Sequence, residues 1–269
     1  MIPFHCSNRD RTRTPVVHNE EIWDYAEALV RDYKPSLLTE PTPINVIHFL
    51  ESYLGATVEY QDIYYADNET PIAGATVFND DCIRVFDRES QCTRIIKVSA
   101  GTIIIDNSTV EKGNKGFESF TGLHEGGHFA MHGEVYRRDA NQPGLPESNS
   151  NGMHVVCCRK DLLFQSYGRK LTPEQNREHQ ANTFAAFIAM PRATFIPFAE
   201  SLIREAGFSK GIFVYDDSEW ESDYALEKIC KAISVAFGVS FTAAKIHLKE
   251  LGLLMKAHRY NTPQALQAV

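Results

Sequence analysis

Apolar residues three and four apart open the chain. Ile22, Ala26, Leu29 and Val30 fall on one face of a helix, and Ile44 to Leu54 reads as a second helix that Gly55 ends. The spacing then changes to that of strands. Thr57 to Tyr65, Ala73 to Phe78, Cys82 to Phe86, Arg94 to Val98 and Thr102 to Asp106 are β-rich runs between turn residues, with Asn79-Asp80-Asp81 as an expected hairpin. Helical signals return from Leu171 to Pro191: Thr172 is an N-cap, Pro173 takes the first helical position, Gln175 completes a capping box and Pro191 stops the helix. Ala225 to Phe237 is amphipathic, Gly238-Val-Ser240 is a turn with a new N-cap, and Phe241 to Leu251 is a helix that Gly252 ends. A small antiparallel or mixed sheet packed against helices is the α+β class.

Between the last strand and the Leu171 helix stands Thr121-Gly-Leu-His-Glu-Gly-Gly-His-Phe-Ala-Met-His132. On a helix, residues four apart lie on one face about 6 Å from each other, so His124 and His128 can converge on one ion. Glu125, beside the first histidine, can take the proton of a water that attacks a carbonyl. Gly126 and Gly127 each cost a helix about 1 kcal/mol relative to alanine. The preceding run Gly101 to Asp106 reads as a buried strand, and a strand edge there is expected to hold an extended substrate beside the ion.

Catalytic zinc takes three protein ligands and keeps a further position open. Glu178 is the third candidate, because Glu178, Ala181, Asn182 and Ala185 share one helix face on which small residues let a second helix approach. His179 is a rival ligand, turned about 100° from that face. His132 is another; it extends the histidine row by one more turn, about 12 Å from His124 along the axis, which suits a supporting or packing role.

These two segments resemble the ImmA/IrrE-type (M78-like) metallopeptidases. The likeness rests on Phe120-Thr-Gly-Leu-His-Glu-Gly-Gly-His128, with a further histidine at 132, and on Glu178-His-Gln-Ala-Asn-Thr-Phe-Ala-Ala186 running into Met190-Pro191. It covers roughly the middle third of the chain. The resemblance implies a zincin-like core, one Zn2+ held by His124, His128 and Glu178, Glu125 as general base, and limited cleavage of a regulatory protein such as a repressor or antitoxin of a phage, mobile element or stress response. The chain departs from the family in having two glycines between the metal histidines and an apparent insertion near 137–169. Within the insertion, Asp139 to Gly152 reads as a surface loop and Met153 to Lys160 as a short strand near the site. A second metal at His154, Cys157 and Cys158 is disfavoured, because adjacent cysteines lack the gap of a zinc knuckle. Tyr136, His154 and Tyr167 are the candidate oxyanion donors, and no spacing selects among them.

At 269 residues, 43% hydrophobic and 23% charged, the chain is long enough for a sizeable core in one or two domains. No apolar run approaches the ~18 residues of a membrane span, and the first residues lack the order of a signal peptide. Six scattered cysteines suit reduced thiols. A cytoplasmic location is the resulting expectation, with no membrane partner.

The expected division is a metallopeptidase domain over 1–222 and a helical region over 223–269. In the latter, helix, glycine turn and helix follow the order of a helix-turn-helix, with Lys245, Lys249, Lys256, His258 and Arg259 nearby. Packing of an αα-hairpin through Ile229, Ile233, Phe237, Ile246 and Leu251 is the preferred reading. Two other classes of function stand beside the peptidase: a DNA-binding regulator with a vestigial zinc site, and an interaction module in which zinc only staples the fold. Glu125 weighs against both, since a structural site needs no base and usually has four protein ligands. A net charge of −8 neither supports nor excludes a local DNA-binding patch.

Overall fold

A computed structural model describes residues 1–66, 70–111, 115–137, 155–159, 171–215 and 220–257. The chain is α+β and forms two compact units, Met1–Tyr33 with Asn45–Ile188, and Lys34–Ile44 with Ala189–Val269. The chain passes from the first unit to the second for the last time at Ile188–Ala189.

In the first unit, α1 (Asn19–Tyr33) buries Ile22, Tyr25, Ala26, Leu29 and Val30, with Glu20 and Glu21 at its positive end and Arg31 at its negative end. The second helix, α2, starts at Val46–His48, where the Asn45 side chain accepts from His48 N, and widens to π geometry over Phe49–Leu54. Gly55 ends it in the left-handed conformation at φ 78°, as its sequence position requires.

A four-stranded sheet follows, in the order β1 (Thr57–Gln61), β5 (Thr102–Asp106), β2 (Ile72–Val77), β6 (Val155–Arg159). β1 and β5 run parallel with Thr57 opposite Thr102, whereas β2 is antiparallel to both neighbours, with Ala75 opposite Ile104 and Cys157. All five β5 residues are buried. That corrects one expectation: the Gly101 to Asp106 run is an interior strand, flanked on both sides, and its edge is not available to a peptide. The carboxylate of Asp106 at its end accepts from Ile63 N at 2.9 Å, Ser108 N at 3.0 Å and the Ser108 hydroxyl, so its burial leaves no unmet need for partners.

β3 (Asp81–Asp87) and β4 (Cys92–Val98) form a separate hairpin. Asn79-Asp80-Asp81 therefore does not close a hairpin, because the strands on either side of it belong to different sheets. The reversal lies at 88–91, where Asp87 Oδ1 accepts from Glu89 N and Ser90 N and Gln91 adopts φ 52°. Ile83, Val85 and Val98 of the hairpin pack with Ile63, Ala75, Val77 and Ile104 into one apolar cluster. Short α3 (Ser108–Glu111), long α4 (Lys115–Met131), α5 (Gly133–Tyr136) and α6 (Pro173–Ala189) complete this part, and α4 lies against β2, β5 and α2. The expected strand within 153–160 is β6; the reading of 139–152 as a surface loop lies outside the described residues.

The second unit holds α7 (Arg192–Glu205), the parallel pair β7 (Phe213–Tyr215) and β8 (Leu254–Lys256), α8 (Trp220–Phe237) and α9 (Phe241–Glu250). Ser240 Oγ accepts from Ala243 N at 3.1 Å and so caps α9 as its sequence suggests. The axes of α8 and α9 cross at 104°. Ile229, Ile233 and Phe237 are buried, but on α9 the buried face is Ala243, Ala244, His247 and Leu248, while Ile246 and Leu251 are half-buried. Among the described residues no single helix is long and apolar enough to cross a membrane.

Candidate metal centre

The residues between and beside His124 and His128 decide how closely the helices meet. A Cβ on Gly127 would stand 3.1 Å from Ala181 Cα, and one on Gly126 would stand 2.7 Å from Leu50 Cδ2. The two glycines that weaken the helix locally therefore let α4 touch α6 on one side and α2 on another. The α6 side is prepared by its own start: Thr172 N donates to Gln175 Oε1 at 3.0 Å and Gln175 N donates to Thr172 Oγ1 at 3.2 Å, the reciprocal capping box read from the sequence. Pro173 then leads α6 past Glu178 with Ala181 and Asn182 facing α4.

The approach brings three ligand-type side chains together. His124, His128 and Glu178 are all buried, and one donor atom from each lies within 4.8 Å of the others; among the described residues this is the one such group. His124 Nε2 is 3.0 Å from His128 Nε2, and the carboxylate of Glu178 is 3.3 Å from the first and 3.4 Å from the second. The rival His179 is elsewhere, its Nε2 3.1 Å from Asn19 Oδ1. His132 stands behind His128, Nδ1 to Nδ1 at 2.9 Å, rather than in the group.

The outer ring nitrogens are engaged. His124 Nδ1 is 2.8 Å from Asn182 Oδ1, an acceptor, so it carries the hydrogen and leaves the Nε2 lone pair facing the group. Glu178 Oε2 is buried with no hydrogen-bond donor. Nitrogen and oxygen lone pairs thus converge with little to separate them but a positive charge, which is the condition a cation site creates.

The charges answer in the same way. Burial works against a charged His124, but the neighbouring Glu178 carboxylate outweighs it and raises its pKa. For His128, burial together with the charge of His124 prevails over Glu178 and the pKa falls. Burial also drives His132 well below the usual histidine range, with the charge of His128 adding to it. Glu178 is pushed well below the ordinary carboxyl value because the two histidines overcome its own burial. Two imidazoles and a carboxylate suit zinc among common metals.

Glu125 is fully buried on the same helix. Burial raises its pKa to about 8, against the opposing pull of His124 and a hydrogen bond from Thr76. The Thr76 hydroxyl, on β2, lies 2.6 Å from Glu125 Oε2, whereas Oε1 is buried without a hydrogen-bond partner. Gly74 makes room for it, since a Cβ there would sit 2.9 Å from Oε1. Thr76 and Gly74 carry no signal in the sequence, because their role depends on which helix the sheet packs against.

Of the three candidate oxyanion donors, His154 and Tyr167 lie outside the described residues, as does the His154 of a second metal site. The ring of Tyr136 is stacked on Phe78 with centroids 5.2 Å apart and lies under Arg177, whose guanidinium carbon is 5.2 Å from the ring centre. Its pKa is raised, chiefly by burial. Of the basic C-terminal residues, Lys245 lies over the Tyr215 ring at 5.4 Å, and His258 and Arg259 fall outside the described residues. No protein-family model matches the chain, and no curated protein sequence matches it.

Proposed function

We propose that the chain is a zinc-dependent endopeptidase with a zincin-like core, in which His124, His128 and Glu178 hold one Zn2+ and Glu125 is the general base. The observation that carries this reading is the convergence of the two histidine Nε2 atoms and the Glu178 carboxylate, fully buried, with a buried carboxylate, Glu125, immediately beside them. A divalent ion held there would supply Lewis acidity to a peptide carbonyl and to the water that attacks it.

The chain's own groups perform the rest. Thr76 donates to Oε2 of Glu125 and fixes that carboxylate, so Oε1 is the atom left to receive a proton. A buried carboxylate of raised pKa accepts a proton more readily than an exposed one and can pass it on to the leaving amine. An extended substrate needs a strand edge. Among the described residues β6 is the outer strand on the β2 side of the sheet, and β2 is the strand that touches Glu125, so β6 takes the part first expected of the Gly101 to Asp106 run. The sequence resemblance supports a repressor or antitoxin-like protein as the substrate, cut at a limited number of sites. Incubating purified protein with candidate repressors, with and without a chelator, tests the reading: chelator-sensitive cleavage is expected, and cleavage indifferent to chelation and to Glu125→Gln overturns it.

One observation favours a second reading, direct DNA binding. The 104° crossing of α8 and α9 around a glycine-containing turn is within the range of helix-turn-helix units. Against it, Lys245 is occupied by Tyr215, and the exposed positions of α9 include Phe241 and Glu250 beside Lys249. Gel shifts over a salt series separate the readings, because phosphate contacts make affinity fall steeply with salt.

A further inference from the structure

His128 is connected through three hydrogen bonds to the backbone of the N-terminal segment. Its Nδ1 lies 2.9 Å from His132 Nδ1, His132 Nε2 lies 2.9 Å from Gln180 Oε1, and Gln180 Nε2 donates to the Pro15 carbonyl at 2.7 Å. All four residues belong to the first compact unit. Only the last link has an unambiguous direction from chemistry alone, and it fixes the others. A peptide carbonyl accepts and never donates, so the amide nitrogen of Gln180 must face Pro15 and its oxygen must face His132. His132 then carries its hydrogen on Nε2. Two ring nitrogens 2.9 Å apart need one hydrogen between them, and with His132 singly protonated that hydrogen sits on His128 Nδ1. The lone pair of His128 is thereby left on Nε2, the nitrogen 3.0 Å from His124 Nε2.

We infer that His132, Gln180 and the Pro15 carbonyl form a relay that selects the metal-binding tautomer of His128, making the N-terminal segment part of the metal centre. The inference rests on the proposed metal site, and its residues act through His128 as positioning groups. The segment is built to hold that carbonyl still. Asp10 Oδ1 accepts from Thr12 N at 2.7 Å and Thr14 N at 3.0 Å, Arg9 pairs with Pro15 across a short antiparallel bridge, and Arg177 of α6 donates to Thr14 Oγ1 at 2.8 Å. Arg177 and Gln180, one helical turn apart on α6, thus clamp neighbouring residues of the segment. His132 and Gln180 are 0% and 1% exposed, so both links are shielded from bulk solvent.

The experiment reads tautomers before metal. In the metal-free full chain, imidazole nitrogen NMR should show hydrogen on Nδ1 of His128 and on Nε2 of His132. In Gln180→Met, the preference on His128 should collapse toward a mixture. Competition with a chelator should then show Zn2+ affinity lower by about 10–100-fold in Gln180→Met and His132→Phe, with part of it restored in His132→Asn, whose side-chain oxygen can accept again. Hydrogen on Nε2 of neutral His128 in the unsubstituted protein, or a doubly protonated His132, overturns the relay without recourse to any variant. So does a Gln180→Met protein of reduced stability but unchanged Zn2+ affinity, which marks the contact as packing. If the tautomers are as stated and the unsubstituted protein binds no Zn2+, the relay stands and the metal reading of the pocket fails.

Discussion

Gly127 meets the backbone of Ala181 with no side chain between them: a Cβ on Gly127 would lie 3.1 Å from Ala181 Cα and 3.3 Å from its carbonyl oxygen. Backbone of a buried helix gives way poorly. Gly127→Ala should therefore push α4 from α6, with an overpacking cost of about 1–3 kcal/mol that outweighs the gain of about 1 kcal/mol in helix propensity. Gly126→Ala meets the end of the Leu50 side chain, which can turn aside, and should be milder. Urea unfolding and zinc content of the two variants check this. Equal stability and equal zinc in both would show that the close approach does not set the site.

The ligand assignment is tested by removing one donor at a time. Glu178→Ala should lose zinc as fully as His124→Ala or His128→Ala, and His179→Ala, whose ring meets Asn19, should keep it. Metal analysis of the four proteins is sufficient. Full occupancy in Glu178→Ala would remove that residue from the site.

Glu125→Gln should keep zinc and lose hydrolysis by orders of magnitude, because the amide cannot take the proton. Thr76→Val has a subtler expectation. The Thr76 hydrogen bond lowers the Glu125 pKa, so its loss should raise it, and the acid limb of the rate profile should move to higher pH. A profile that stays in place, in a variant that retains zinc, would show that Thr76 does not tune the base.

Alkali should destabilise the first unit. Burial raises the phenol of Tyr25 well above its ordinary 10.0 and that of Tyr53 to about 12, the latter helped by its hydrogen bond to Asp32. The folded state therefore keeps protons that the unfolded chain gives up. Stability from this source is complete below the unfolded value and is lost as pH rises through the folded one. Urea midpoints should fall as pH rises from about 10 toward about 12, and less so in Tyr25→Phe relative to its own value at neutral pH. A midpoint independent of pH over that range would contradict the assignment.

The legible parts of the molecule are those whose information lies within one or two helical turns. The His124 and His128 spacing, the capping box of Thr172 and Gln175, and the small face of Ala181 and Asn182 beside Glu178 were each readable because a helix places residues by count alone. Strand pairing is not local. The run 79–81 has the composition of a hairpin turn, but β2 pairs with β5 and β6, and neither partner adjoins it in the chain. The same limit hid Thr76, Gly74 and Pro15, ordinary residues whose importance comes only from what is packed on them.

The spacing of the ligands along the chain also sets an order of events. His124 and His128 come into line as soon as α4 winds, whereas Glu178 joins them only after α6, much later in the sequence, has docked across Gly127. The intervening chain must bring its two ends together before the third donor is in place, and that closure has an entropic cost. An ion that needs all three donors therefore grips the last-formed contact and has little to hold in the folding transition state. It should slow unfolding far more than it speeds folding, so that the bound metal acts as a kinetic latch on the helix pair.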